Sequence, residues 1–382
     1  MKLTALRPPR LRTAETEAEH RSATWLELFY DLVFVVAVAA LGQRLLADHD
    51  WAGALTFAGL FVPLWWSWAS FTFYADRYDT DDLGQRLLAV AQMVAIALMA
   101  ASISGGESDS FAAFAVAFAL SRLVLLTMYT RAYRHVPGTQ QLVGGYLRGF
   151  ALGGAFWVVS IWVPDPTRFV LWGIGLAIDF VTPYIMRKVQ AAAPMSKSHL
   201  PERFGLFTIL VLGESIAAVV AGLSEFHWTG SVTFGAVIGV ITASGLWWIY
   251  FDNLEGSVVR RRKGQRTAWK PTVWIYSHLP LAIGLTATGI GLEFLVAQEG
   301  HGVRWVAIGG MATALFAMGI IHFATEREAG RDITQAQIRV GAAGVVLVLG
   351  LVSESWSPNV LLVALALVAI SQAVTDLVIT GE

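Results

Sequence analysis

The sequence contains no cysteine, and it contains few charged residues. Without cysteine the 382-residue chain has no disulfide, no thiolate metal ligand and no cysteine nucleophile. Charged residues make up 14% of the chain, whereas an ordinary soluble domain contains about 25%. Because 55% of the residues are hydrophobic, so little polar surface would hardly cover a soluble core. The composition instead favours a protein whose outer surface faces lipid.

Motifs for catalysis and for phosphate or metal binding are missing as well. The chain has no Gly-x-Ser-x-Gly, no His-Glu-x-x-His and no P-loop. Its glycine pairs, Gly144-Gly145 and Gly153-Gly154, fall in or beside apolar segments, so they indicate helix packing and not phosphate binding. We therefore predict no enzymatic activity, no cofactor and no metal site.

Long apolar segments dominate what is present. A membrane span needs about 20 mostly apolar residues, and twelve segments meet or nearly meet this length. The weakest are 146–163, which is rich in glycine, and 335–352, so ten or eleven spans are the alternative counts. We predict an all-α polytopic membrane protein with spans at 25–46, 52–74, 84–103, 111–131, 146–163, 168–187, 203–223, 231–251, 271–297, 303–324, 335–352 and 359–379.

The distribution of Lys and Arg predicts the orientation. With the polar tail 1–22 inside, and with basic residues at span ends counted with the adjoining segment, 23 of the 27 basic residues are assigned to inner segments and three to outer ones, and Arg122 alone is assigned to a span. This bias predicts an even number of spans with both termini in the cytoplasm. The basic loop Arg260-Arg261-Arg262-Lys263 is interpreted as a contact with anionic lipids, in preference to nucleic acid.

The two halves of the chain resemble each other weakly. Glu27–Leu32 opens the first span, and the similar Glu202–Phe207 opens the seventh, at a separation of about 175 residues. Two six-helix halves, 23–195 and 196–382, would then be parallel repeats, an arrangement that transporters use with the site between the halves. The alternative interpretation is that aromatic ends of membrane helices look alike by composition.

Ionisable residues inside spans are candidate functional residues because burying charge in lipid is costly. Asp31, Asp179, Glu214 and Arg122 are such candidates, and Arg122 needs an acidic partner, for which Asp179 and Glu214 are the choices. Glu27 and Asp31 are four residues apart on one helix face, where they could bind a cation or share a proton. Glu27 alone could instead favour the positive end of its helix.

A histidine and a proline mark the inner part of the ninth predicted span. His278 could titrate near neutral pH, or it could be a satisfied interfacial histidine. Pro280 should kink the helix. The segment His199-Leu200-Pro201-Glu202 reads as the start of a helix, with Glu202 favouring the helix dipole.

Two motifs resemble the bacterial low temperature requirement protein A family, LtrA. The first is Trp25-Leu26-Glu27-Leu28-Phe29-Tyr30-Asp31-Leu32-Val33-Phe34-Val35, and the second combines His199–Phe207 with Leu212-Gly213-Glu214-Ser215-Ile216. The resemblance covers almost the whole chain after the tail. It implies a multi-spanning protein of the bacterial inner membrane, named for growth in the cold, without a settled activity. It supports the choice of the motif residues Glu27, Asp31, Glu202, Arg203, Gly213, Glu214 and Ser215. From its small size, Gly213 is expected to permit close backbone approach, and Ser215 is expected to hydrogen-bond across helices.

Three functions are weighed on this basis. The first is a secondary transporter or channel-like permease for an ion or small solute, with Asp31 and Glu214 as cation or proton sites and Arg122 as a counter-charge. The second is a membrane scaffold or sensor linked to low-temperature growth and envelope lipid state. The third, ranked last, is a lipid-modifying enzyme that uses a carboxylate and His278. The oligomeric state is left open, with a homo-oligomer as one option.

Overall fold

The structure is a computed structural model that describes most of the chain. The residues it describes are 7–12, 23–79, 81–103, 108–190, 193–196, 198–225, 228–254, 269–298, 303–325 and 331–380. The predicted lipid-binding loop Arg260–Lys263 lies outside these residues.

The described chain is almost entirely helical. Twelve of its helices are long and apolar enough to cross a membrane, which confirms the predicted fold class. The two weakest predicted spans, 146–163 and 335–352, correspond to full helices. The twelve helices are α1 Trp25–Ala47, α2 Trp51–Arg77, α3 Leu83–Ile103, α4 Ser108–His135, α5 Gln140–Ser160, α6 Thr167–Ile185, α7 His199–Glu225, α8 Gly230–Leu254, α9 Lys270–Val296, α10 Arg304–Ala324, α11 Arg331–Val352 and α12 Pro358–Thr380.

The placement of apolar and charged side chains is the reverse of that in a soluble protein. Large apolar side chains such as Val36, Leu98 and Leu351 are exposed on the outer faces of helices, while the charged Asp31 and Arg122 are buried. An exposed apolar surface of this extent is stable when its surroundings are lipid. The outer faces therefore identify the lipid bilayer as the environment of the protein.

Exposed tryptophans mark the ends of several helices. Trp25 and Trp51 are the first residues of α1 and α2, Trp162 follows α5, and Trp228 precedes α8. Tryptophan is enriched at membrane–water interfaces because its ring is apolar and its N–H is polar. These positions agree with helices that end at the two faces of a bilayer.

The chain divides into two compact units. Unit 1 comprises Met1–Leu41 with Gly59–Arg203, and unit 2 comprises Gly42–Ala58 with Phe204–Glu382. In unit 1, α3, α4, α5 and α6 pack on one another in sequence; in unit 2, α10 packs between α9 and α11, and α12 packs on α8. The parallel repeat of residues 23–195 and 196–382 stays a prediction.

A glycine every fourth residue brings α5 against the segment that follows it. A Cβ atom on Gly145 would lie 1.9 Å from Met186, one on Gly149 2.1 Å from Thr182, and one on Gly153 2.4 Å from Asp179. No larger side chain fits at these three positions without a shift. The predicted role of the α5 glycines in helix packing is confirmed at Gly145 and Gly153.

Unit 2 uses small residues in the same way between α9 and α10. A Cβ on Gly291 would approach the backbone nitrogen of Ala307 to 2.2 Å, and one on Gly284 would approach that of Ala314 to 2.5 Å. Because lipid offers no hydrophobic drive for helices to associate, such close backbone contact supplies much of the attraction. The helix α9 is accordingly buried over most of its length.

Candidate functional site

One helix of unit 1, α2, places two indole N–H groups on two buried carboxylates. Trp66 donates through Nε1 to Oδ2 of Asp179 at 3.1 Å, and Trp68 donates to Oδ1 of Asp31 at 2.8 Å. Residues two positions apart on a helix are separated by about 200° around its axis, so the two indoles reach different neighbours. The middle of α2 thus supplies hydrogen-bond donors to two acids.

The first carboxylate, Asp31 of α1, forms a fully buried ion pair. Arg203 of α7 donates from Nη2 to Oδ1 of Asp31 at 2.7 Å, and neither side chain is exposed. The same oxygen accepts the Trp68 indole, whereas Oδ2 of Asp31 has no hydrogen-bond partner among the described residues. Asp31 lies six residues into α1, about 9 Å along the helix axis.

The second carboxylate, Asp179 of α6, pairs with Arg122 of α4. Nη1 of Arg122 lies 3.5 Å from Oδ2 of Asp179, and both side chains are buried. This confirms Asp179 as the partner that the sequence offered for Arg122. As at Asp31, one oxygen accepts the indole N–H and faces the arginine, and the other, Oδ1, has no partner among the described residues.

Arg122 is held from several sides at mid-depth. It lies about 20 Å from either end of α4, at 1.5 Å per residue. Its Nη1 donates to Ser70 at 3.1 Å and its Nη2 to Ser67 at 3.3 Å, both on α2. Its guanidinium carbon also lies 4.6 Å from the ring centre of Phe118, a cation–π contact. The arginine therefore links α4 to α2 and α6.

A second polar cluster surrounds His199 at the start of α7. Its Nδ1 lies 3.1 Å from Oδ1 of Asp76 and its Nε2 lies 3.4 Å from Oε1 of Glu27. The Nε2 contact meets the distance of an ion pair but not the geometry of a hydrogen bond. Asp76 also accepts the backbone N–H of Ser196 at 2.8 Å. A histidine between two carboxylates is a group that can exchange protons with both.

Glu27 also caps α1. Oε2 of Glu27 accepts the N–H of Thr24 at 2.7 Å, and the hydroxyl of Thr24 accepts the N–H of Glu27 at 3.3 Å. This reciprocal pair is a capping box. The structure gives Glu27 and Asp31 separate partners, since Glu27 faces His199 and Asp31 faces Arg203.

The predicted helix start at His199–Glu202 is correct. The same segment also contributes His199 to the cluster, and its Glu202 accepts the N–H of Ala23 at 3.1 Å.

Part of the N-terminal tail packs on the same end of unit 1. Strand β1, Arg10–Leu11, pairs in antiparallel fashion with β2, Tyr78–Asp79, directly after α2. The side chain of Arg12 then lies 3.4 Å from Nδ1 of His199. The tail therefore adds a cation to the His199 cluster.

Asp82 anchors the beginning of this tail segment. Its Oδ2 accepts the N–H of Arg7 at 2.9 Å and the guanidinium of Arg131 at 2.9 Å, and its Oδ1 accepts the N–H of Gln85 at 2.8 Å. Burial alone would raise the pKa of Asp82. The two backbone hydrogen bonds and Arg131 outweigh burial and hold its pKa below the ordinary value.

The second family motif lies in unit 2. Glu214 is half-buried and has no ion-pair partner among the described residues. Ser215 donates to the carbonyl of Leu285 on α9 at 3.0 Å, which confirms a hydrogen bond between helices. Gly213, expected to permit close backbone approach, is exposed, and a Cβ atom added to it would meet no atom of a described residue within 4 Å. The close approach lies instead at Gly289 of α9, which faces Ser215.

His278 is buried, and both of its ring nitrogens have partners. Nδ1 lies 2.8 Å from the carbonyl of Trp274, to which it donates, and Nε2 lies 3.0 Å from the hydroxyl of Tyr250. The neutral imidazole with its proton on Nδ1 satisfies both contacts. This arrangement favours a structural role for His278.

The expectation that Arg122 is the lone span arginine is wrong. Arg203 and Arg339, counted as inner-loop charges, are fully buried within α7 and α11. Arg339 forms an ion pair with Asp376 of α12 and donates to Gln372 at 2.7 Å. Each of these arginines lies within a few turns of a helix end, where sequence alone does not separate a buried charge from an interfacial one.

Sequence reasoning also missed His199, Asp76 and the two indoles as members of the site. His199 and Asp76 lie at helix ends, where a polar residue is ordinary. Trp66 and Trp68 stand out in the sequence only as part of an aromatic helix end. The signal that could have found the two indoles is chemical. A buried indole N–H group needs an acceptor, and acids within the spans, such as the motif residue Asp31, offer one.

Twelve described helices of membrane-spanning length, with ion pairs buried inside each unit, define a polytopic α-helical membrane protein. The family model for the bacterial low temperature requirement A protein (LtrA) matches residues 22–371, and the chain belongs to this family. A Rhizobium meliloti (strain 1021) protein, named "Uncharacterized protein RA0937", is 27% identical over 293 residues, covering 73% of this chain and 71% of that protein.

Proposed function

We propose that the protein is a permease that moves an ion or a small solute across the bacterial inner membrane, with both termini in the cytoplasm. The observation that carries this proposal is the Arg122–Asp179 pair, buried about 20 Å from either end of α4. Charges at this depth are costly, and in membrane proteins they commonly mark ion or substrate pathways. The excess of basic residues in the predicted inner segments supports the orientation.

The polar groups of unit 1 form a series along α2. The His199 cluster lies at Asp76, near the last residue of this helix, and the Asp179 site lies at Trp66, ten residues and about 15 Å earlier. Asp31 is held between them by Trp68. Such a series offers successive stations for an ion between one end of unit 1 and its middle. Glu214 in unit 2 is a further candidate ion site, because it is half-buried and unpaired among the described residues.

Flux into proteoliposomes tests the proposal. Purified wild-type protein should carry ion current above that of empty vesicles under an imposed gradient, in a screen that covers H⁺, Na⁺, K⁺ and Cl⁻. Asp179→Asn should reduce the current about tenfold or more, as an effect of more than about 1.4 kcal/mol on the rate-limiting step. Glu214→Gln tests the second candidate in the same assay.

Asp165→Asn is the matched control. Asp165 lies between α5 and α6, is partly exposed and pairs with the nearby Arg168 at 3.0 Å. Its variant should carry wild-type current. A current in Asp179→Asn equal to that of wild type, at equal reconstitution, would contradict the proposed role.

The alternative is a membrane scaffold or sensor linked to low-temperature growth and envelope lipid state. It is favoured by the tight packing of Arg122 and Asp179, which are buried among helices. In that case the Asp179→Asn variant should be less stable in detergent, and wild-type vesicles should carry no more current than empty ones.

A further inference from the structure

The two buried carboxylates of unit 1 share one unusual arrangement. In each, a single oxygen accepts an indole N–H and faces an arginine N–H, and the second oxygen is unpartnered among the described residues. The unpartnered oxygens are Oδ2 of Asp31 and Oδ1 of Asp179. This repetition raises the question of which ion these atoms could take.

A metal cation does not suit these surroundings. Calcium needs about six to eight oxygen ligands at about 2.3–2.6 Å, and magnesium needs about six. Among the described residues, one oxygen of Asp179 faces Trp66 and Arg122, and one oxygen of Asp31 faces Trp68 and Arg203, so each acid already has two N–H groups beside it. N–H donors and guanidinium charges repel a cation. Among the described residues no group of three or more His, Asp or Glu side chains is placed to hold a metal.

The backbone of α5 closes one side of Asp179. A Cβ atom on Gly153 of α5 would lie 2.4 Å from Oδ1 of Asp179, so the backbone of α5 is packed directly against that oxygen. The carbonyl oxygen of Gly175 would lie 2.9 Å from the same Cβ. A hydrogen atom on Oδ1 needs far less room than an ion with its ligands.

We propose that Asp179 is a proton-binding site, and that the ion carried by the permease is the proton and not a metal cation. This inference rests on the proposed function. The proton bonds to Oδ1 of Asp179, and Oδ2 keeps the indole N–H of Trp66. Neutralising the carboxylate weakens its attraction for Arg122, which retains Ser67 and Ser70 as acceptors. The arginine therefore keeps hydrogen-bond partners while the acid is neutral.

His199 supplies the entrance for the proton. It lies between Glu27 and Asp76 at the end of α2, and Asp31 follows on the same helix α1 as Glu27. Next to Asp31, Tyr30 places its hydroxyl 3.5 Å from the carbonyl of Ser67, whose side chain contacts Arg122. Polar groups thus extend from the helix end to Arg122, the partner of Asp179.

Infrared difference spectroscopy tests proton binding without any transport. Detergent-solubilised wild-type protein, titrated with acid, should show a protonated-carboxyl C=O band that Asp179→Asn lacks and that the control Asp165→Asn keeps. Adding NaCl, KCl or CaCl₂ at constant pH should leave this band unchanged. A band that a metal cation removes, or no band that depends on Asp179, would overturn the inference.

Proteoliposomes with an internal pH-sensitive dye give the second measurement. A pH gradient should drive dye-reported proton flux that Asp179→Asn lowers about tenfold or more, whereas a sodium gradient at equal pH should drive none. Sodium flux that depends on Asp179 would overturn the inference while the permease proposal stands. An Asp179-dependent carboxyl band without flux of any ion would support the proton site and contradict the permease.

Discussion

Breaking the buried Asp31–Arg203 pair should destabilise the protein strongly. In Arg203→Gln, the carboxylate of Asp31 loses a donor at 2.7 Å in a site with no exposure and keeps only the indole of Trp68 among its described partners. Removing one partner of such a pair typically costs about 3–5 kcal/mol, because the other charge stays buried. Asp31→Asn should cost at least as much, since an arginine cannot lose its proton to become neutral.

A surface pair of the same type provides the matched control. Arg86 and Asp81 lie 2.8 Å apart, but their side chains are 37% and 50% exposed. Water screens such a pair, and its loss typically costs about 0–1 kcal/mol. Arg86→Gln should therefore stay close to wild type, although it removes the same chemical group at nearly the same distance.

The free energy of unfolding in mixed detergent micelles, titrated with SDS, measures these differences. The double variant Asp31→Asn/Arg203→Gln should cost less than the sum of the single variants, with a coupling energy of about 0.5–3 kcal/mol. The reasoning is refuted if Arg203→Gln costs no more than Arg86→Gln, or if the two single effects simply add.

Two further predictions concern unit 1. Gly153→Ala places a methyl group 2.4 Å from Oδ1 of Asp179 and should cost about 1–3 kcal/mol in the same titration, whereas Gly173→Ala, with nothing within 4 Å, should not destabilise. Asp82, whose pKa is lowered, should contribute stability that is fully present above the ordinary pKa of 3.8 and lost as the pH falls through the lower folded value. Unfolding measured across this acid range should show that loss in wild type and not in Asp82→Asn.

The spans could be predicted from sequence because lipid imposes one simple requirement. A helix that crosses a bilayer must satisfy its backbone internally and be apolar over about 20 residues, and both properties can be read locally. Even the glycine-rich segment at 146–163 follows this rule, as part of α5. Its glycines lower the apparent hydropathy, but they are there to bring α6 close.

The site could be predicted only in part, because ion pairs join residues that are distant in sequence. Asp31 and Asp179 are conspicuous as acids within apolar segments, and Asp179 is one of two partners that the sequence offers for Arg122. Arg203 lies 172 residues from Asp31, and only the fold brings them together. Its position near a helix start makes it resemble an ordinary interfacial charge.

Burial also could not be read from position along a helix. The sequence offers a titrating or a satisfied interfacial role for His278, and only the fold shows that its ring is enclosed by Tyr250 and Trp274. The sequence also favours a close contact at Gly213, which is exposed. Which face of a helix meets a neighbour depends on its rotation about its axis, and a helix with apolar residues all round gives little indication of that rotation.

The two indoles of α2 have a mechanical consequence. Because Trp66 and Trp68 belong to one helix, a sliding or turning of α2 changes the distance from an N–H donor to Asp31 and to Asp179 in the same movement. The two acids therefore share one helix as their hydrogen-bond donor, so any displacement of α2 alters the hydrogen bonding of both.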